Sequence, residues 1–138
     1  MSSAPPAANW TFNATEQTAA MRARVGFTSY LHEHCTPDSD IVAAEIVFAE
    51  LISNAFRHGG GGPVQIWVEL DSPECILHVR DGGTGFDPGT PRLPDDALSE
   101  NGRGLFLVWA LAKRVQVVPD SRSGSTVRAL LPVSVLAA

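Results

Sequence analysis

Between Asp38 and His58 the chain places Ile41, Ala44, Phe48, Leu51, Ile52 and Ala55 at helical spacing, which makes one continuous apolar face. This is the strongest periodic signal in the sequence, and it predicts a long helix buried along that face. Glu50 and Asn54 stand one turn apart on the edge of the face, within roughly 40° of each other around the axis. Arg57 and His58 continue the polar stripe. A carboxylate can take a proton, and an amide oxygen can hold a hard cation such as Mg²⁺. The same spacing also describes an ordinary solvated helix face, so the pair gains meaning only from the residues downstream of it.

The 138 residues suffice for one domain with its own core, and 44% apolar against 18% charged content is globular. The net charge of −5 argues against nucleic acid as the main partner. Cys35 and Cys75 fall in unrelated elements without metal-ligand spacing, and read as reduced thiols of a cytosolic protein. Met1 to Pro6 lacks the pattern of a signal peptide. The longest apolar run, Leu105 to Ala112, is far short of the ~20 residues that span a bilayer. A cytoplasmic protein without a membrane anchor is expected.

Residues 1–8 form a Ser/Ala/Pro tail, expected to be disordered. Asn9 to Ala14 alternates as an edge strand, and Thr15 is placed to cap a helix that runs to about His34. Thr36-Pro37-Asp38 breaks that helix and opens the next, which stops at the glycines 59–62. Val64 to Leu70 and Cys75 to Arg80 read as an antiparallel pair joined by Asp71-Ser72-Pro73. The second strand ends in Asp81-Gly82-Gly83-Thr84-Gly85, a carboxylate backed by glycines that would let a flat ligand approach the backbone. Residues 87–101 are rich in Pro, Asp and Gly, and their length suits a functional lid or a disordered excursion. Asn101-Gly102-Arg103-Gly104 then opens a helix from Leu105 to Arg114. Backbone N–H groups at such a start favour anions, although a flexible join to a core helix fits equally well. Val115 to Pro119 and Gly124 to Leu131 read as two further strands. The apolar tail 133–138 receives no role.

Four features thus occur in order: Glu50-x-x-x-Asn54 on a helix, Asp81-x-Gly83-x-Gly85 at a strand end, Gly102-x-Gly104-Leu105 at a helix start, and Gly124-Ser125-Thr126 opening a strand. Together they resemble the ATP-binding fold of the GHKL superfamily, which includes gyrase, a heat-shock chaperone, histidine kinases and MutL. The compact size and the wording of Glu50 to His58 and Gly102 to Leu111 look most like its anti-sigma-factor serine kinases. The resemblance covers about residues 9–132, taken as the ATP-binding domain. It implies an α/β fold, a two-layer sandwich with a mixed, mostly antiparallel sheet and helices on one face. It implies ATP and Mg²⁺ as cofactors.

Carried over by position, Glu50 matches the general base and Asn54 the Mg²⁺ ligand. Asp81 matches the acceptor for the adenine amino group, and Gly83 and Gly85 leave room for the base. Gly102, Arg103 and Gly104, with Leu105 behind them, match the loop near the phosphates. Thr126 matches a residue bonding near the adenine. Members of the subgroup often carry Gly-Lys-Thr where this chain has Gly124-Ser125-Thr126, so a phosphate-contacting lysine is missing.

Three functions compete. The first is a protein serine kinase that phosphorylates a STAS-domain anti-anti-sigma partner and sequesters a sigma factor, expected as a homodimer. The second is a nucleotide-responsive regulator of the same fold that transfers no phosphate. The third is the catalytic domain of a sensor histidine kinase. Glu50 favours the first, since a pure binding module needs no base there. No transmembrane segment and no dimerisation hairpin with a phosphoacceptor histidine can be read in the sequence, which counts against the third.

Overall fold

The computed structural model describes residues 8–58, 61–82, 103–119 and 124–136, with backbone only at 58 and 103–105. The elements run β1 (Ala8–Asn13), α1 (Gln17–His34), α2 (Ile41–His58), β2 (Pro63–Asp71), β3 (Glu74–Asp81), α3 (Arg103–Leu111), β4 (Arg114–Pro119) and β5 (Ser125–Leu130). The strands form one sheet in the order β1-β2-β3-β5-β4, and every pairing is antiparallel. The mostly antiparallel sheet that was expected is antiparallel throughout; β3 and β4 point the same way only because they are two strands apart. β5 lies between them, so no parallel ladder forms.

The alternation of each strand sends one set of side chains toward the helices. Three cross-sheet rows result: Ala8–Val68–Leu77–Ala129–Val115, Trp10–Ile66–Val79–Val127–Val117, and Phe12–Val64–Asp81–Ser125–Pro119. The first two rows are wholly apolar. The third, at the end of the sheet where β3 finishes, carries two buried polar residues, Asp81 and Ser125.

The helices lie on that one face. α1 packs against β1, α2 against β3, and α3 against β4, while α2 touches both of its neighbours. The layers are joined by aromatic packing. Phe27 and Phe48 stack at 4.4 Å between ring centroids, and Trp10 meets both edge-on. Phe27 and Phe48 are fully buried.

Helix starts differ from expectation. α1 has Glu16, not Thr15, at its N-cap, and no side-chain cap bond forms there. The Glu16 carboxylate instead accepts from the Asn13 N–H at 2.8 Å and closes the turn after β1. α2 begins after Asp40, whose Oδ1 accepts from the Ala43 N–H at 3.0 Å. Asp38 lies in the preceding turn and accepts from the Thr36 hydroxyl.

Residues 133–136 are part of the packed structure. Val133 and Val135 are buried. The Thr36 N–H donates to the Ser134 carbonyl, the Val135 N–H to that of Pro73, and the Leu136 N–H to that of His34. These bonds tie the α1–α2 connection to the β2–β3 turn. No described helix is long and apolar enough to cross a membrane.

Candidate functional site

Around α2 the residues divide by angle, at about 100° per residue. Ala44, Phe48, Leu51 and Ala55 form the buried centre that meets the sheet. Ala49 and Ile52 lie to one side, where they line a recess with Gln17, Ala20, Met21 and Arg24 of α1. Glu50 and Asn54 lie on the flank opposite to these α1-facing residues, and α3 is the other helix that packs on α2. Asn54 is 9% exposed. Glu50 is half-buried. The expected pair is therefore not a fully solvated face.

The last turn of α2 reaches the end of the sheet that holds the polar row. Phe56 packs on Phe12 at 6.1 Å between ring centroids, and Phe12 occupies that row. Asp81 stands two strands from Phe12, or roughly 10 Å at the usual strand spacing. Its helix-facing side chain and the last turn of α2 thus belong to the same end of the molecule.

Asp81 is 6% exposed. Its ladder neighbours are Val64 and Ser125. The Ser125 hydroxyl is buried and has no hydrogen-bond partner among the described residues. A buried unsatisfied hydroxyl costs free energy that a ligand atom could recover. Gly124 brings the two strand ends together. It holds a left-handed φ of 85°, and a Cβ there would fall inside the Asp81 carbonyl oxygen and 2.7 Å from the Gly82 Cα. Only glycine permits that approach.

Thr126 is placed differently from expectation. The register sets it opposite Arg80 and Val118, on the face turned away from the helices. Ser125 is the residue that shares a face with Asp81. A shift of one residue along a strand exchanges the two faces, so the motif alone could not separate them. The alternation of β5, with Val127 and Ala129 buried beside Ser125, was the signal that could have done so.

Gly83, Gly85, Gly102 and the proposed lid 87–101 lie outside the described residues. Arg103, Gly104 and Leu105 form the first turn of α3, two residues earlier than the expected helix start. The first four N–H groups of a helix have no intrahelical acceptor, so this turn offers donors.

Neither cysteine competes for a chemical role. Both are buried free thiols, and burial pushes Cys75 up to about 12, which leaves no thiolate at neutral pH. Among the described residues no cluster of His, Cys, Asp or Glu could hold a metal ion. A cation here would need the amide of Asn54 together with oxygens of a bound ligand.

The fold is thus a two-layer sandwich with a buried carboxylate at a strand end, a buried serine beside it and an acid–amide pair on the central helix. The family model for the histidine kinase-like ATPase domain matches residues 12–131, and the chain belongs to that family. Solved structures agree in fold. Full-length ShkA in complex with AMPPNP superposes with a TM-score of 0.56 at 18% identity, over 86% of this chain and 30% of that one. The histidine kinase AdeS of Acinetobacter baumannii gives 0.50 at 22% identity, over 91% of this chain and 67% of that one. This chain therefore spans under a third of the length of ShkA. No curated protein matches the sequence.

Proposed function

We propose that the chain binds Mg·ATP at the Asp81–Ser125 end of the sheet and acts as an anti-sigma-factor serine kinase. Its substrate would be a serine of a STAS-domain partner. The same reading makes it a homodimer that holds a sigma factor when the partner is phosphorylated. The observation that carries the site is the buried pair Asp81 and Ser125, aligned in the ladder beneath the helices. The subgroup, the partners and the homodimer rest on the resemblance in sequence.

Each residue has a task that its position allows. Asp81 accepts a hydrogen bond from the adenine amino group, which guanine's carbonyl cannot supply. The Ser125 hydroxyl, unpaired among the described residues, can bond beside it. Asn54 would hold Mg²⁺, which supplies neutralisation of the phosphate charge when bound. Glu50 takes the proton of the partner's serine as the serine oxygen bonds to the γ-phosphorus. The bond from that phosphorus to the β-phosphate oxygen breaks, and ADP leaves. Positioning and charge neutralisation do most of the work in such a transfer.

The reading without transfer, a nucleotide-responsive regulator, is favoured by one feature. Ser125 stands where the subgroup often has lysine, and its short side chain is buried beside Asp81, where it cannot replace a phosphate contact.

Incubation of the pure protein with labelled ATP, Mg²⁺ and STAS proteins of the same genome separates the two. Label on a partner serine supports the kinase. Glu50→Gln keeps the shape but removes the proton acceptor, so transfer should fall by about 10²- to 10⁴-fold, with ATP affinity kept within a few-fold. Transfer at the wild-type rate would leave Glu50 as part of a polar helix flank and remove the mechanism.

A further inference from the structure

The face of the sheet turned away from the helices holds a second polar site that the nucleotide reading does not use. It is a recess of about 120 Å³ lined by Glu74, Ile76, Arg114, Gln116, Arg128 and Leu130. The ladder explains how these residues meet. Ile76, Leu130 and Arg114 form one cross-strand row, and Arg128 and Gln116 face each other in the next. Ile76 and Leu130 give the recess an apolar part, and Arg114 and Arg128 give it two basic side chains.

The arginines are short of acceptors. The ion pairs among the described residues are His34–Glu33 and His78–Glu69, so neither Arg114 nor Arg128 is paired with a described carboxylate. Gln116 Oε1 accepts from one terminal nitrogen of Arg128 at 3.4 Å. The Arg128 Nε–H is buried and has no partner among the described residues. A charged group that keeps an unsatisfied buried donor costs more than a neutral one. Two cations sharing one recess also repel each other. Glu74 is the one acid among the described residues that line the recess, and it offsets only part of this charge.

From the geometry we infer that this recess is a binding site for an oxyanion, a carboxylate or a phosphate carried on a short apolar stem. The planar fork of a guanidinium matches the two oxygens of either group. With Gln116 holding one terminal nitrogen, the other and Nε–H remain as the edge that an oxyanion takes, after a small turn of the guanidinium. Arg114 closes on it from the edge strand. A stem of a few carbons lies on Leu130 and Ile76. The site is on the opposite face of the sheet from Asp81, so nucleotide binding neither supplies nor blocks it.

The test is an NMR titration of the whole protein, labelled at arginine Nε, with inorganic phosphate, acetate and butyrate. Sodium chloride at equal ionic strength is the control. Saturable shifts of the Arg114 and Arg128 Nε–H signals are expected with the oxyanions, and tighter binding of butyrate than of acetate would place the stem on Ile76 and Leu130. A response to phosphate alone would assign the site to phosphate groups, and a response to carboxylates alone to carboxylates. Arg128→Gln should weaken binding by roughly 10- to 100-fold, the scale of a lost charge-assisted hydrogen-bond pair. Arg114→Gln, on the exposed edge strand, should weaken it in the same direction and serves if the first variant does not fold. Linear shifts no larger than those given by chloride would overturn the inference. So would affinities unchanged in the folded variants.

Discussion

His78 sits in the middle of the sheet face that the helices leave uncovered, yet it is 6% exposed. Trp67 stacks on its ring at 4.7 Å, and its Nε2–H donates to Glu69 at 2.8 Å. Burial lowers its pKa and the nearby Arg128 charge lowers it further, while Glu69 acts in the opposite sense. The net direction is downward from 6.5, so the folded state prefers the neutral ring. The unfolded chain then binds more protons than the folded one at mildly acid pH. The resulting stability is complete above the ordinary value and is lost as pH falls through the lowered one. Thermal melts from pH 8 to pH 5 should therefore show a steeper fall for wild type than for His78→Gln. Parallel curves would mean that the ring does not titrate differently on folding. At Gly124 the constraint is steric rather than electrostatic. Gly124→Ala should destabilise by at least about 1–2 kcal/mol, the cost of a left-handed alanine, because its Cβ would also push against the Asp81 backbone. Chemical denaturation would measure this, and an unchanged midpoint would contradict the close approach.

α2 shows which elements could be read from sequence and which could not. Its apolar period fixed the helix, and its register placed Glu50 and Asn54 together on one flank. What lies on each flank depends on α1 and α3, which no local pattern specifies. Leu51 is 2% exposed at the centre of α2, so Leu51→Ala should cost about 2–5 kcal/mol in a denaturant melt. A cost below about 1 kcal/mol would mean that α2 is not the central packing element. In β5 the motif Gly124-Ser125-Thr126 was recognisable, but the choice between neighbours was not. Ser125 and Thr126 face opposite sides of the sheet, and the pairing with β3 decides between them. The helix starts were misplaced for a related reason. Thr15 and Asp38 are good capping types, but Glu16 and Asp40 occupy the positions the turns create. The segment around Val135 had no legible role because its partners, Pro73 and His34, are remote in sequence.

On the scale of the whole molecule, the two faces of one sheet carry different chemistry. The helix face ends in the Asp81–Ser125 row under α2, and the open face carries Trp67, His78 and the arginines. The nucleotide assignment requires the helix face to select adenine through Asp81. Calorimetric titration of wild type and Asp81→Asn with Mg·ADP and Mg·GDP tests this directly. Wild type should bind ADP and discriminate against GDP. Asp81→Asn should remain folded and lose roughly 1–3 kcal/mol of ADP affinity, the cost of a mispaired buried acceptor. Wild-type-like ADP affinity in Asp81→Asn, with the fold intact, would contradict the assignment.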